Sequence, residues 1–217
     1  MTRLCTLFAL LLALALPATA FATAQVPDRI RIDGEDHALH TNPLARKLAS
    51  VGWERPEEAL LNSANWRGYI AFWEIAGDRL LLLDATMIVP GDGPQGQAKK
   101  SILPDIFPSA TPPLVAEWYS GALVVPQGEV VEYVHMGYES VYERYLVFRI
   151  SEGKVLERLS LSPEELSRYR DEKFEAFTRT DEFRQEVDIL RQRWKSASEA
   201  QLLEAMKQTH AERYMGL

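Results

Sequence analysis

Between residues 25 and 161 apolar and polar positions mostly alternate in short runs. From residue 162 apolar positions recur every three to four residues. The first pattern is that of strands with one face buried, and the second that of amphipathic helices. Arg29–Ile32 and His37–His40 flank Asp33-Gly34-Glu35-Asp36, a turn signal that predicts a short hairpin. Asn42 before Pro43 reads as a helix start, with Leu44, Leu48 and Val51 at helical spacing and Gly52 as the stop; a second short helix is expected after Arg55-Pro56. The clearest hairpin pairs Gly68–Ile75 with Leu80–Val89 across Ala76-Gly77-Asp78. Four consecutive leucines, Leu80 to Leu83, predict burial on both faces of the return strand. Pro90–Lys100 reads as a loop. Further strands are expected at Leu114–Tyr119, Ala122–Val125, Glu129–His135, Glu143–Ile150 and Val155–Leu161, with Pro126-Gln127-Gly128 and Ser151-Glu152-Gly153 as tight connections.

The period then changes. Ser162-Pro163-Glu164-Glu165 is an N-cap followed by Pro at the first helical position and by two acids where the helix dipole favours them. Leu166, Tyr169, Phe174 and Phe177 share one face of this helix. Phe183, Val187, Leu190 and Trp194 repeat after Thr180-Asp181, and Leu202, Leu203, Met206 and Tyr214 follow Ser198. These stripes need a partner surface. The pattern predicts an α+β fold: a mostly antiparallel sheet of about seven or eight strands in hairpins, short N-terminal helices, and a C-terminal region of about three helices. Residues 25–217 are expected to form a single domain, β-rich over 25–161 and helical over 162–217.

The first two dozen residues stand apart. Arg3 precedes an apolar run from Leu4 to Leu16, Pro17 ends it, and small-x-small sites follow at Ala18-Thr19-Ala20 and Ala22-Thr23-Ala24. That order is the signature of a cleaved secretory signal, residues 1–24, with cleavage after Ala24 or after Ala20. The run falls short of the ~20 residues that span a bilayer, and no later segment reads as transmembrane. Cys5, the only cysteine, lies inside this segment rather than at a lipid-attachment position. The mature chain is therefore expected to be a soluble periplasmic or secreted protein with no thiol for disulfide, nucleophile or metal.

Charge narrows the partners. The chain has 24 Lys and Arg, and 23 without Arg3, against 31 acids, so the mature net charge is −8. The basic residues are dispersed, and no basic run, Lys99-Lys100 included, exceeds two residues. A nucleic-acid partner is not expected, whereas an acidic surface suits a basic protein.

Familiar chemistry is sparse. Gly91-Asp92-Gly93-Pro94-Gln95-Gly96 matches G-x-G-x-x-G, but dinucleotide binding needs a helix N-terminus directly after it. Pro94 and Pro104 deny one, so a polar hairpin loop is the better reading and no cofactor is expected. Asp33, Asp36, His37 and His40 suggest metal ligands, yet a strand sends His37 and His40 to opposite faces; no metal is expected. G-x-S-x-G and H-E-x-x-H are absent. His135 is the candidate general base of a hydrolase, oriented by Glu139, Glu132 or Asp84.

The densest feature is Tyr133-Val134-His135-Met136-Gly137-Tyr138-Glu139-Ser140-Val141-Tyr142-Glu143-Arg144-Tyr145, and a second aromatic cluster runs from Trp66-Arg67-Gly68-Tyr69 to Phe72-Trp73-Glu74. Tyrosine and tryptophan combine an apolar body with a polar tip, which suits recognition surfaces; an aromatic sheet core is the competing reading. His135, Tyr138 and Tyr142, joined by Trp66 and an exposed Arg67 through sheet pairing, are the candidate binding residues. Thr41-Asn42-Pro43-Leu44, Asn65-Trp66-Arg67-Gly68-Tyr69 with Trp73-Glu74-Ile75, and Pro126-Gln127-Gly128 through Tyr138 resemble an uncharacterised family of bacterial proteins over roughly residues 28–158. The resemblance implies a shared fold and no known activity. The functional expectation is a protein-recognition module of the cell envelope, of the inhibitor or immunity type. The alternative is an envelope hydrolase using His135 with a carboxylate.

Overall fold

The computed structural model describes residues 25–135 and 137–217. The segment expected to be a secretory signal, residues 1–24, lies outside the described residues. Among those residues no helix is long and apolar enough to cross a membrane.

Nine strands form one mixed sheet: β1 (Asp28–Ile32), β2 (Glu35–Leu39), β3 (Ile70–Ala76), β4 (Arg79–Pro90), β5 (Gln97–Ser101), β6 (Leu114–Val115), β7 (Gly121–Glu132), β8 (Val141–Ser151) and β9 (Lys154–Leu161). The order is β2-β1-β3-β4-β9-β8-β7, with β5 and β6 also paired to β4. Three two-residue hairpin turns use backbone that twists with the strands. Asp33 and Gly34 sit at φ 53° and 86°, Gly77 at 60°, and Glu152 and Gly153 at 48° and 73°.

The sheet departs from the all-hairpin expectation in one pair: β1 runs parallel to β3, Ile30 opposite Trp73. The two ends of the order also meet. The His40 N–H donates to the Val124 carbonyl at 2.8 Å, and the Gln127 amide lies 3.3 Å from His37 Nδ1. The curled sheet encloses a first core that includes Ile30, Leu39, Trp73, Leu82, Leu123 and Phe148.

Several local expectations need correction. In β4, Leu80 and Leu82 are buried while Leu81 and Leu83 are only half-buried. The four leucines thus mark a bulge, since Leu82 faces Trp73 and Asp84 faces Phe72 with Leu83 left over. Part of the expected loop at 90–100 is β5, hairpinned to β4, with Gly91–Gly96 forming the turn region. The strand expected over 114–119 shrinks to Leu114–Val115. Pro126-Gln127-Gly128 is no turn: β7 runs through it with a register shift. There Gly128, at φ 76°, leaves room for the Glu143 carboxylate, which accepts the Glu129 N–H at 3.2 Å.

Among the described residues helical mass is C-terminal. Of the two N-terminal helices expected, one is reduced to α1 (Ala45–Ser50), and the stretch after Arg55-Pro56 forms turns. A further short helix, α2 (Leu103–Ile106), follows β5. The tail comprises α3 (Pro163–Thr178), α4 (Asp181–Arg193), α5 (Glu199–Thr209) and α6 (Ala211–Tyr214). Ser162 and Ser198 close capping boxes, and Thr180 caps α4.

The tail stripe is covered by the outer face of β7 and β8. Ala122, Val124, Tyr145 and Val147 pack with Leu166, Phe177, Phe183, Val187, Met206 and Tyr214 in a second core. Gly121–Val125 therefore has both faces buried: Leu123 and Val125 face the first core, Ala122 and Val124 the second. Trp194 ends the α4 stripe but is 46% exposed and outside this core. At the C-terminus a Cβ on Gly216 would stand 2.5 Å from the Gly121 Cα. That close approach lays the α6 turn directly on β7.

Candidate functional site

A cleft of about 710 Å³ opens between β7, the 138–141 loop, the segment after β2, and the tail helices α3, α5 and α6. Asn42, Arg67 and Tyr138, from three loops far apart in sequence, come together beside it.

The foundation is Asp28 at the start of β1, whose side chain is 0% exposed. Its carboxylate accepts the Arg67 guanidinium at 3.0 Å, the Ala71 N–H at 3.1 Å and the Trp73 indole N–H at 3.3 Å. Burial outweighs these donors and lifts the Asp28 carboxyl above the ordinary aspartate range. Arg67, with its side chain 8% exposed, also donates to the Val26 carbonyl at 2.9 Å and to Asn42 Oδ1, and its guanidinium stacks over Tyr69. Asn42 Oδ1 further accepts the Tyr138 hydroxyl at 3.4 Å. The Asn42 N–H donates to Glu212 Oε1 at 2.7 Å. One chain of polar contacts thus runs from inside the sheet to the C-terminal helix.

Several groups of shifted acidity line the cleft. Burial, helped by the nearby Arg170 charge, lowers His40 to about 4, so its imidazole is neutral at physiological pH. The ring stacks on Tyr138 at 4.8 Å and meets Tyr142 edge-on at 5.5 Å. Burial raises Glu212 to about 7 despite the Asn42 N–H and Arg46, both of which favour its charged form. Burial likewise pushes the Tyr138 hydroxyl up to about 12.

The shift of Glu212 has a stability consequence. Below its ordinary value of 4.5 the carboxyl is protonated in both folded and unfolded chains, and its contribution to stability is fully present. That contribution is lost as pH rises through about 7, because the folded state must then carry a poorly solvated charge. Glu212→Gln keeps an acceptor for the Asn42 N–H. It should match wild type in acid and exceed it by about 1–3 kcal/mol near pH 8, read from thermal unfolding at the two pH values.

The five residues singled out from sequence fare differently. Tyr138 lines the cleft, and Tyr142 supports it from behind His40. Arg67 is brought to Tyr138 through Asn42, but as a buried ion-pair partner rather than an exposed cation. Sheet pairing does not place Trp66 and Arg67, since both precede β3 in a loop. Trp66 is 64% exposed and does not line the cleft. His135 is exposed outside the lining, with Nδ1 2.7 Å from the Tyr133 hydroxyl.

The potential metal ligands are otherwise engaged: Asp36 pairs with Arg31, Asp33 with Arg158, and His37 with Gln127. Among the described residues no group of three or more His, Cys, Asp or Glu is placed to hold a metal ion. Asp84, expected as a possible partner of His135, accepts the Ser101 hydroxyl at 2.6 Å.

Sequence reasoning missed Asn42, Asp28, Glu212 and Arg170. Asn42 looked like a helix cap, but α1 starts from Leu44 without a side-chain cap, and its amide oxygen serves Arg67 and Tyr138 instead. Asn42, Arg67 and Tyr138, the residues that meet here, each lie in one of the three stretches from which a resemblance to a bacterial family was expected. No family model matches the chain, and no curated protein or solved structure matches it either.

Proposed function

We propose that this chain is an exported recognition protein of the cell envelope whose ligand is taken by the cleft between the sheet wall and the helical tail. The observation that carries this reading is the fixed polar chain Asp28–Arg67–Asn42–Tyr138, which braces one wall of a concave, polar-lined space. Preorganised polar groups in a cleft of a few hundred cubic ångströms are what a selective site requires. The exposed aromatic surface offers less, because Tyr138 and Tyr142 are half-buried against His40, and Arg67 is committed to Asp28. Export rests on the charged, apolar, small-residue order of residues 1–24.

The test is a thermal-shift screen of the mature protein against amino acids, monocarboxylic acids, amino sugars and short peptides. Ser167, exposed on the cleft wall, is replaced by Trp in a parallel sample. Compounds that stabilise wild type should lose their effect in Ser167→Trp, because the indole fills the space. Equal stabilisation of both proteins, or of neither, overturns the reading.

A second reading, a hydrolase, is favoured by one observation: Glu212 and His40 line one cleft with their acidities pushed in opposite directions. Such a divergence can separate an acid from a base. Ser140 is not free to act as nucleophile, since its hydroxyl bonds both the N–H and the carbonyl of Val134. Water would have to attack, and cleavage of a peptide in the screen that Glu212→Gln abolishes would favour this reading.

A further inference from the structure

The polar groups of the cleft divide into those already matched by the protein and those that are not. Lys207 is paired with Asp171 at 2.6 Å, Glu204 accepts the Gln208 amide at 2.8 Å, and Glu212 accepts the Asn42 N–H. The Thr209 hydroxyl donates to the Ala205 carbonyl at 2.7 Å. Arg170 of α3 is different. Its Nε is buried without an acceptor, and its guanidinium makes no hydrogen bond or ion pair among the described residues. The Thr41 hydroxyl is buried in the same way: the residue is 2% exposed and its hydroxyl has no partner among the described residues.

A donor left unmatched beside a cleft is a claim on an acceptor from outside, because a buried N–H without one is unfavourable. The planar fork of arginine suits a carboxylate, which it can grip through two parallel hydrogen bonds. Cations are not invited in the same way, because three of the four acids that line the cleft already have donors. Those acids also limit the ligand's charge. Glu139, Asp171 and Glu204 line the same cleft as a single unmatched cation, so a monoanion is tolerated better than a doubly charged phosphate.

We propose that the cleft takes a small monocarboxylic acid, its carboxylate on the Arg170 guanidinium and a second polar group on the Thr41 hydroxyl. The proposal rests on the reading of the cleft as the binding site and names the class of ligand.

The probes are N-acetylalanine, its neutral primary amide, and inorganic phosphate, each at about 10 mM with the mature protein. A dissociation constant near 1 mM would raise Tm by roughly 3–6 °C. N-acetylalanine should produce this rise, and the amide and phosphate should not. Arg170→Gln, which removes no internal ion pair, should weaken N-acetylalanine by about tenfold or more, and Arg170→Lys by less.

His40 gives an independent readout, because Arg170 helps to hold it at about 4. A carboxylate on the guanidinium offsets that charge, so the NMR titration midpoint of His40 should rise when N-acetylalanine binds; in Arg170→Gln it should be raised already. An amide that binds as well as the acid, a phosphate that binds better, or an Arg170→Gln protein of undiminished affinity would overturn the carboxylate assignment. In each of those cases a loss of binding in Ser167→Trp would leave the cleft standing as the site. Failure of N-acetylalanine to shift either Tm or His40 overturns the assignment outright, and the broader screen then decides the fate of the cleft separately.

Discussion

Arg67→Ala is expected to destabilise the protein by about 3–5 kcal/mol, the usual result of stripping the counter-ion from a buried charge. Asp28 is fully enclosed, and two of its three donors, the Ala71 N–H and the Trp73 indole, would remain without any positive charge. Burial already lifts its carboxyl; losing Arg67 lifts it further. The sign follows from linkage. A carboxyl whose folded-state acidity is weakened contributes its full stability when protonated in both states and loses it as pH rises through the raised folded-state value. The deficit of Arg67→Ala should therefore be smaller in acid than at neutral pH. Urea unfolding at the two pH values measures it. The double variant Asp28→Asn/Arg67→Met should recover part of the loss, because it leaves no uncompensated charge. An Arg67→Ala protein as stable as wild type at neutral pH would show that the pair is not buried in solution.

Phe177→Ala should cost a comparable ~3–5 kcal/mol, as truncating a fully enclosed aromatic ring does. Phe177 is 0% exposed at the centre of the second core, with Phe183 edge-on at 5.5 Å and the Tyr214 ring at 6.2 Å. The same core covers Ala122, Val124, Tyr145 and Val147, so the helical tail completes the sheet rather than hanging from it. A chain ending at Leu161 should accordingly lose the cooperative unfolding transition, monitored by circular dichroism. It would expose the outer face of β7 and β8. A truncated protein that melts as sharply and as high as residues 25–217 would make the tail an appendage and remove one wall of the cleft.

Local signals were the legible part of the fold. The turns at Gly77-Asp78 and Glu152-Gly153, and the helix starts at Ser162, Thr180 and Ser198, lie where the sequence predicts them. Their causes act over a few residues: positive φ at glycine, a hydroxyl accepting an N–H, a proline at the first helical position. The same logic erred where one residue type serves two geometries. Pro126-Gln127-Gly128 read as a turn and is a kink within β7, and the leucine run of β4 read as double burial and is a bulge.

The candidate site was only half legible. Tyr138 and Arg67 stood out by composition, but their roles were set by residues 25 to 96 positions away along the chain, Asn42 and Asp28 among them.

The sequence by itself determined the α+β class, the order of strands before helices, and most element ends. Each of these depends on side-chain periodicity or on contacts within one turn. Tertiary structure alone decided the parallel β1–β3 pairing, the meeting of β2 with β7, the burial of the Asp28–Arg67 pair, and the unmatched state of Arg170. These depend on which surfaces meet, and whether a charged side chain is solvated or enclosed is a property of its neighbours in space. Arginine looks the same in a sequence whether it lies in water, against a buried carboxylate, or at the edge of a cleft.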